Sequence, residues 1–298
     1  MLRRFVLFVA LSLALAPGAL AYPWPTKPFD KPHAIRGYFN DPRREFVGEE
    51  LQSAFHFGID ISARDATPVY AVAQGVVSRH PTYVTVSANG RDFGYWHIEP
   101  TVEQGQNVEQ GALLGTVEPG WGHVHFAESF NGVYLNPLRP GALAPYVDAT
   151  SPAIVSIGIS YTGKGVDTTK VRGTVDLTVD AFDTPPVAPP PPWNQTRVTP
   201  ALIRWRLLRG IAGGNARWKT AVDFRSTLMP SALFNLVYAP GTRQNRAGRP
   251  GNYNFYLKQA FRTTKLRDGP YRIQVAAFDS RGNSAHSTLA FTVANRTP

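Results

Sequence analysis

The chain has 298 residues, 43% hydrophobic and 12% aromatic, and no cysteine; it is long enough for about two domains, and disulfides, Cys-held metal and thiol nucleophiles are excluded, so any metal must be held by His, Asp or Glu. The formal net charge of +10 is unevenly shared, with 9 Lys and Arg against 14 Asp and Glu in residues 22–148 and 20 against 7 in residues 149–298. An acidic front followed by a basic back points to a polyanion as a partner of the back half.

Residues 1–21 read as a secretory signal peptide: Arg3 and Arg4 precede the apolar run Phe5 to Leu15, and Ala19-Leu20-Ala21 supplies small residues for cleavage. The run is shorter than the roughly 20 residues that span a bilayer. No cysteine follows it to carry a lipid, and nothing later reads as a transmembrane segment. The expected location is therefore secreted or periplasmic, where anionic envelope polymers or lipid headgroups are the available polyanions and nucleic acid is not.

Residues 22–32, with Pro23, Pro25, Pro28 and Pro32, predict an extended lead-in. From Ala34 to about Val147 the pattern is that of strands. Pro68 to Val77 alternates around β-branched residues, Tyr83 to Ser87 is a second strand ended by the hairpin turn Ala88-Asn89-Gly90, and Phe93 to Ile98 is its returning partner. Val102-Glu-Gln-Gly105 recurs as Val108-Glu-Gln-Gly111, and short apolar steps punctuated by glycine fit a compact antiparallel sheet with tight turns.

Strands continue at period two in the back half, over Ala153–Ile159, Val175–Val179, Ile203–Leu207, Tyr253–Leu257, Tyr271–Val275 and Leu289–Val293. Six or more strands in residues 149–298 predict a sandwich of the immunoglobulin or fibronectin type. Pro185 to Pro192 cannot be an interior strand and reads as a long exposed loop within that sandwich. The expected class is thus all-β: a compact antiparallel domain over 22–148, then a basic sandwich over 149–298.

Chemistry concentrates in three segments of the front half: His56-Phe-Gly-Ile-Asp60, Tyr95-Trp-His97 and His123-Val-His125-Phe126. Each is weak alone. On a strand, residues i and i+2 share a face, so His123 and His125 can reach one point, while Gly58 allows close backbone approach beside His56. His33, His80 and His286 match no motif and read as surface or turn residues, and Glu99 is a weaker candidate base than the histidines.

Taken together these segments resemble the lysostaphin-type (LytM-like) zinc metallopeptidases, which cut peptide cross-links in bacterial cell walls. The resemblance starts at Ile35-Arg-Gly-Tyr-Phe-Asn-Asp-Pro-Arg43. It continues through His56 to Ala63, Thr67-Pro-Val-Tyr-Ala71, Trp96-His97, the Val-Glu-Gln-Gly steps and His123-Val-His125-Phe126, and ends at Asn136-Pro-Leu138. It implies that His56, Asp60 and His125 hold Zn2+ and that His97 and His123 are the catalytic pair. Three ligands leave one coordination position open, and a neutral imidazole near pH 7 can take or donate a proton. No His-Glu-x-x-His occurs, so the glutamate base of that zinc class is absent. Two departures stand out: Ala127 follows His-x-His-Phe where the family commonly has glutamate, with Glu128 one place later, and the segment from Gly115 to His123 is short.

The implied activity is an exported zinc endopeptidase acting on peptidoglycan stem peptides or cross-bridges, with an anionic cell-wall polymer as a partner of the basic sandwich. The competing reading is a non-catalytic LytM-like regulator that activates another wall hydrolase. Such proteins usually lose ligand or catalytic histidines, and none is missing here. A biotin- or lipoate-carrying domain is excluded, because no lysine lies between Lys31 and Lys164.

Overall fold

The structure, a computed structural model, describes residues 21–47, 49–210 and 216–296; the expected signal segment, apart from Ala21, lies outside them. Regular structure is nearly all antiparallel strand. The N-terminal half carries β1 (Ile35–Gly37), β2 (Pro42–Val47), β3 (Glu50–Phe55), β4 (Ile59–Ser62), β5 (Pro68–Tyr70), β6 (Gly75–His80), β7 (Tyr83–Ala88), β8 (Arg91–Trp96), β9 (Ile98–Pro100), β10 (Asn107–Val108), β11 (Leu113–Val117), β12 (His123–Phe130) and β13 (Val133–Leu135). The main sheet runs β1-β4-β12-β8-β7-β6-β10, with β13 paired to β12, and β5-β11-β9 form a small second sheet.

Burial dictates the face each side chain takes. In β12, Val124 and Phe126 are fully buried in the core with Ile59 and Ile61 of β4, Tyr95 of β8 and Trp24 of the lead-in. Strand parity then sends His123 and His125 to the opposite face. Glu128 keeps the core parity and is fully buried, where Tyr22 donates to it at 2.6 Å and Arg139 makes a two-pronged contact at 2.6 and 2.7 Å; Arg91 also touches it. This residue braces the sheet from the side away from the histidines, so the displaced glutamate does not support the candidate ligands.

Two expected strands are each divided. The run Pro68 to Val77 splits into β5 and β6, because after Tyr70 the backbone bonds move to the loops: Tyr70 donates to the Pro25 carbonyl at 2.7 Å and Ala71 to that of Ala112 at 2.9 Å. The return strand Phe93 to Ile98 breaks at His97, whose φ of +64° is sparsely populated for a non-glycine residue. That turn lets Ile98 pair with Val117 in the small sheet. The Asn89-Gly90 turn is as expected, with both residues at positive φ (55° and 74°).

The C-terminal half contains β14 (Ala153–Tyr161), β15 (Lys164–Gly165), β16 (Thr174–Phe182), β17 (Leu202–Arg209), β18 (Lys219–Asp223), the one-turn helix α1 (Phe234–Val237), β19 (Asn254–Arg262), β20 (Gly269–Phe278) and β21 (Ser284–Val293). These strands make two four-stranded sheets, β15-β14-β16-β19 and β18-β17-β20-β21. Leu177 and Val179 of the first share one core with Ile203, Ile273 and Val275 of the second. Strands before and after Pro185–Pro192 therefore belong to one packed unit.

The halves interlock behind His56. Phe55, at the end of β3, is buried in the C-terminal core, its ring centroid 6.0, 5.3 and 5.7 Å from those of Phe224, Phe234 and Tyr238. Burying a phenylalanine contributes about 2–3 kcal/mol. Tyr238 donates to the Asn40 carbonyl at 2.7 Å, the Met229 amide donates to Asn40 Oδ1 at 2.9 Å, and Thr199 donates through its amide and hydroxyl to Asp41 Oδ1, both at 3.0 Å. In turn the His56 amide donates to the Asp41 carbonyl at 2.9 Å, and the Asn40 amide to the His56 carbonyl at 2.8 Å.

Candidate metal centre

The five residues singled out in the sequence come together. Asp60 on β4 and His125 on β12 are directly opposed in register, as are Ser62 and His123, so two adjacent strands present Asp60, His125 and His123 to one face. His56 joins from the β3–β4 connection and His97 from the kink after β8. His56 Nε2 and His125 Nδ1 are 2.8 Å apart, and each lies 3.2 Å from Asp60 Oδ1. His123 Nε2 is 3.5 Å from the same oxygen, and the His97 ring centroid is 4.7 Å from that of His123.

Glycine makes this approach possible. A Cβ on Gly58 would fall 2.8 Å from His125 Nε2 and onto the Phe126 carbonyl. Gly37 leaves room in the same way for the contact between Arg43 and Asp60.

Hydrogen bonds orient the donors. His56 Nδ1 donates to the Tyr38 carbonyl at 2.8 Å, which leaves Nε2 as the free lone pair. Arg43 donates to Asp60 Oδ2 at 2.8 Å, leaving Oδ1 to face the imidazoles. Burial would raise the Asp60 carboxyl, but His56, His123 and Arg43 outweigh it and hold the group well below the usual carboxylate range. Burial, with Arg43, lowers His56. Burial and neighbouring imidazoles bring His125 down to about 4 and His97 down to about 3. At neutral pH Asp60 is therefore an ionised carboxylate beside His56 and His125, imidazoles with free lone pairs, the donor set a borderline cation needs.

The three donor atoms form a triangle slightly tighter than the one a bound zinc ion would set. Ligand atoms about 2.0–2.2 Å from a tetrahedral ion lie roughly 3.3–3.6 Å from one another, and the triangle of His56 Nε2, His125 Nδ1 and Asp60 Oδ1 has edges of 2.8, 3.2 and 3.2 Å. The same three residues form one of two groups of metal-type ligand atoms among the described residues; the other is Asp148, Asp183 and Asp279, all carboxylates, at the junction of the halves.

Three contributors escaped the sequence reading. Trp121 is 43% exposed and stacks on His97 with ring centroids 3.6 Å apart, while its carbonyl accepts from His123 Nδ1 at 2.8 Å. Its loop is pinned by Asp65, which accepts from the Gly120 and Gly122 amides at 2.8 and 3.0 Å. Arg36 donates to the same Trp121 carbonyl at 2.7 Å and touches His123. Arg43 lay in the quoted Ile35–Arg43 motif but carried no assigned role. By contrast Glu99 is exposed on β9, in the small sheet, and His80 and His286 are exposed.

Residues 54–137 match the model of peptidase family M23. The chain is 31% identical over 125 residues to an uncharacterized metalloprotease of Haemophilus influenzae, a match covering 37% of this chain and 26% of that protein. Among solved structures it is similar to Csd3 of Helicobacter pylori (20% identity, 43% of this chain, 34% of that chain, TM-score 0.33). It is also similar to the catalytic domain of the prophage-encoded M23 protein EnpA of Enterococcus faecalis, in a point-mutant form (24% identity, 40% and 98%, TM-score 0.30). The part of this nearly all-β chain that carries the match to peptidase family M23, residues 54–137, includes all five site residues.

Proposed function

We propose that this protein is an exported zinc endopeptidase that hydrolyses peptide bonds in the stem peptides or cross-bridges of peptidoglycan. The observation that carries the reading is the meeting of His56, Asp60 and His125 at one point with His97 and His123 alongside. We assign the first three as ligands and the last two as the catalytic pair.

Zinc at this site would supply a Lewis acid with one open position, able to polarise a scissile carbonyl and to acidify water. The chain's own groups do the rest. His123 donates through Nδ1 to the Trp121 carbonyl, so its Nε2 faces the cluster as a base with its orientation fixed. His97 is held under the Trp121 indole and kept neutral by burial and the neighbouring imidazoles; its one ring N–H can still donate toward developing negative charge. The M23 match and the signal-like N-terminus support action on the envelope, and no helix among the described residues is long and apolar enough to cross a membrane.

The basic C-terminal half is proposed to hold an anionic wall polymer. A cleft of about 760 Å³ where the halves meet is lined by Arg139, Arg204, Arg225 and Arg281. Of these, Arg139 is paired with Glu128 and Arg225 with Asp223, and Arg281 donates to the Tyr146 and Leu138 carbonyls, so Arg204 is the guanidinium left to a ligand in a cleft that Asp279 also lines.

The test is digestion of isolated sacculi by the purified protein, with fragments identified by mass spectrometry. Cleaved peptide bonds, lost on chelation and restored by zinc, are expected. Intact sacculi with fully zinc-loaded protein would favour the regulator instead.

A further inference from the structure

The proline-rich loop between β16 and β17 reaches the catalytic cleft. Its Trp193 lies under the guanidinium of Arg36, with Cζ 4.4 Å from the ring centroid. The loop is well fixed: Trp193 donates to the Pro190 carbonyl at 2.9 Å, Thr196 donates through its amide and hydroxyl to the Trp193 carbonyl at 3.0 and 2.7 Å, and Gly248 donates to the Pro192 carbonyl at 2.7 Å. Arg36 sits on β1 between Ile35 and Gly37, the pair that faces Ile61 and Asp60 on β4. The register shifts between Ile35 and Gly37, and the contacts of Arg36 with the Trp121 carbonyl and with His123 place its side chain beside the metal centre.

Arg36 is a half-buried cation that feels the charge of Asp60 without pairing to it. Its Nη2 is engaged by the Trp121 carbonyl at 2.7 Å and lies against His123. Among the described residues no carboxylate forms an ion pair with it, and its Nε and Nη1 make no hydrogen bond. A guanidinium stacked on an indole keeps its edge for a planar anion, and carboxylate is the group that two parallel N–H donors match. Arg43, on the same side of the sheet, is by contrast already committed to Asp60.

We propose that Arg36, held by Trp193 of the C-terminal half and the carbonyl of Trp121, recognises a carboxylate of the peptide substrate beside the metal centre, so that the cleft is completed by the second half of the chain. This assignment rests on the peptidase reading and names its substrate class: peptides with a free carboxylate close to the bond that is cut. It makes Arg36 a specificity-determining residue and Trp193 a positioning residue.

The experiment is a binding titration of the zinc-loaded protein, followed by NMR, with N-acetyl-glycylglycine and its C-terminal amide. These achiral probes differ only in the charged group. Wild type is expected to bind the acid about tenfold or more tightly than the amide, as a charge-assisted hydrogen-bond pair would give. Arg36→Gln should abolish that preference with zinc content unchanged, Arg36→Lys should keep part of it, and Trp193→Ala should weaken it. The proposal is overturned if wild type shows no preference, or if Arg36→Gln keeps the full preference, since the metal alone would then hold the carboxylate. Should Arg36→Gln lose zinc, Trp193→Ala decides, and an unchanged preference there overturns the proposal. A wild-type protein that takes up no zinc brings down the peptidase reading itself, a result distinct from zinc-loaded protein that is indifferent to the carboxylate.

Discussion

Arg43 donates to Asp60 Oδ2 at 2.8 Å, and that one contact turns Oδ1 toward three imidazoles. The arginine thereby fixes a carboxylate ligand in a one-oxygen mode while keeping it ionised. Removing it in Arg43→Ala should lower zinc affinity about 10–100-fold, the usual effect of losing a group that orients a ligand. Competition with a chromogenic chelator measures this, and an unchanged affinity would show that Asp60 needs no such support.

Glu128 tests the opposite face of the same strand. It is fully buried and contacts Tyr22, Arg91 and Arg139. Glu128→Gln leaves two arginines facing an uncharged amide, at a cost of about 3 kcal/mol. Chemical denaturation should show that loss while zinc binds at the wild-type ratio. Loss of zinc in a folded variant would mean that the two faces are not independent.

Phe55 probes how the halves are joined. Although it precedes the first ligand, His56, its ring is packed among Phe224, Phe234 and Tyr238. Phe55→Ala is expected to cost about 3–5 kcal/mol and to lower the stability of both halves together in one denaturation transition. Separate transitions, with only one shifted, would contradict the interlocked interface.

Asp183 gives a pH signature. Burial, aided by Asp148 and Asp279, pushes its carboxyl up to about 8. Because the folded group titrates above its unfolded value, the unfolded state holds fewer protons between about pH 4 and 8, and stability falls through that window as pH rises. Asp183→Asn removes the burden, so its melting temperature should exceed that of wild type by a margin that widens from pH 4 to 8. Thermal melts across that range check it; a margin independent of pH would mean that the three carboxylates are already neutralised, for instance by a cation.

What the sequence revealed follows from which signals are local. The turn at Asn89-Gly90 and the strand parity of His123 and His125 depend on neighbouring residues, and both are read directly. His97 was harder to place, because its positive φ breaks a run, Phe93 to Ile98, that alternates like one strand. Phe55 is a hydrophobic residue at a strand end, and no pattern says that its core lies roughly 170 residues away. Arg36 and Trp193 are separated by a similar distance in the chain, and their contact exists only in the folded protein. The Glu128 displacement was visible as a departure, yet its meaning required knowing that parity turns it away from the metal face.

Metal analysis of three purified proteins tests the central assignment most directly: wild type, His56→Ala and His123→Ala, each dialysed against zinc and measured by mass spectrometry alongside sacculus digestion. The arrangement predicts one zinc in wild type, none in His56→Ala, and one in a His123→Ala protein that no longer cuts peptide bonds. Full zinc occupancy in His56→Ala, or zinc lost from His123→Ala, would contradict it.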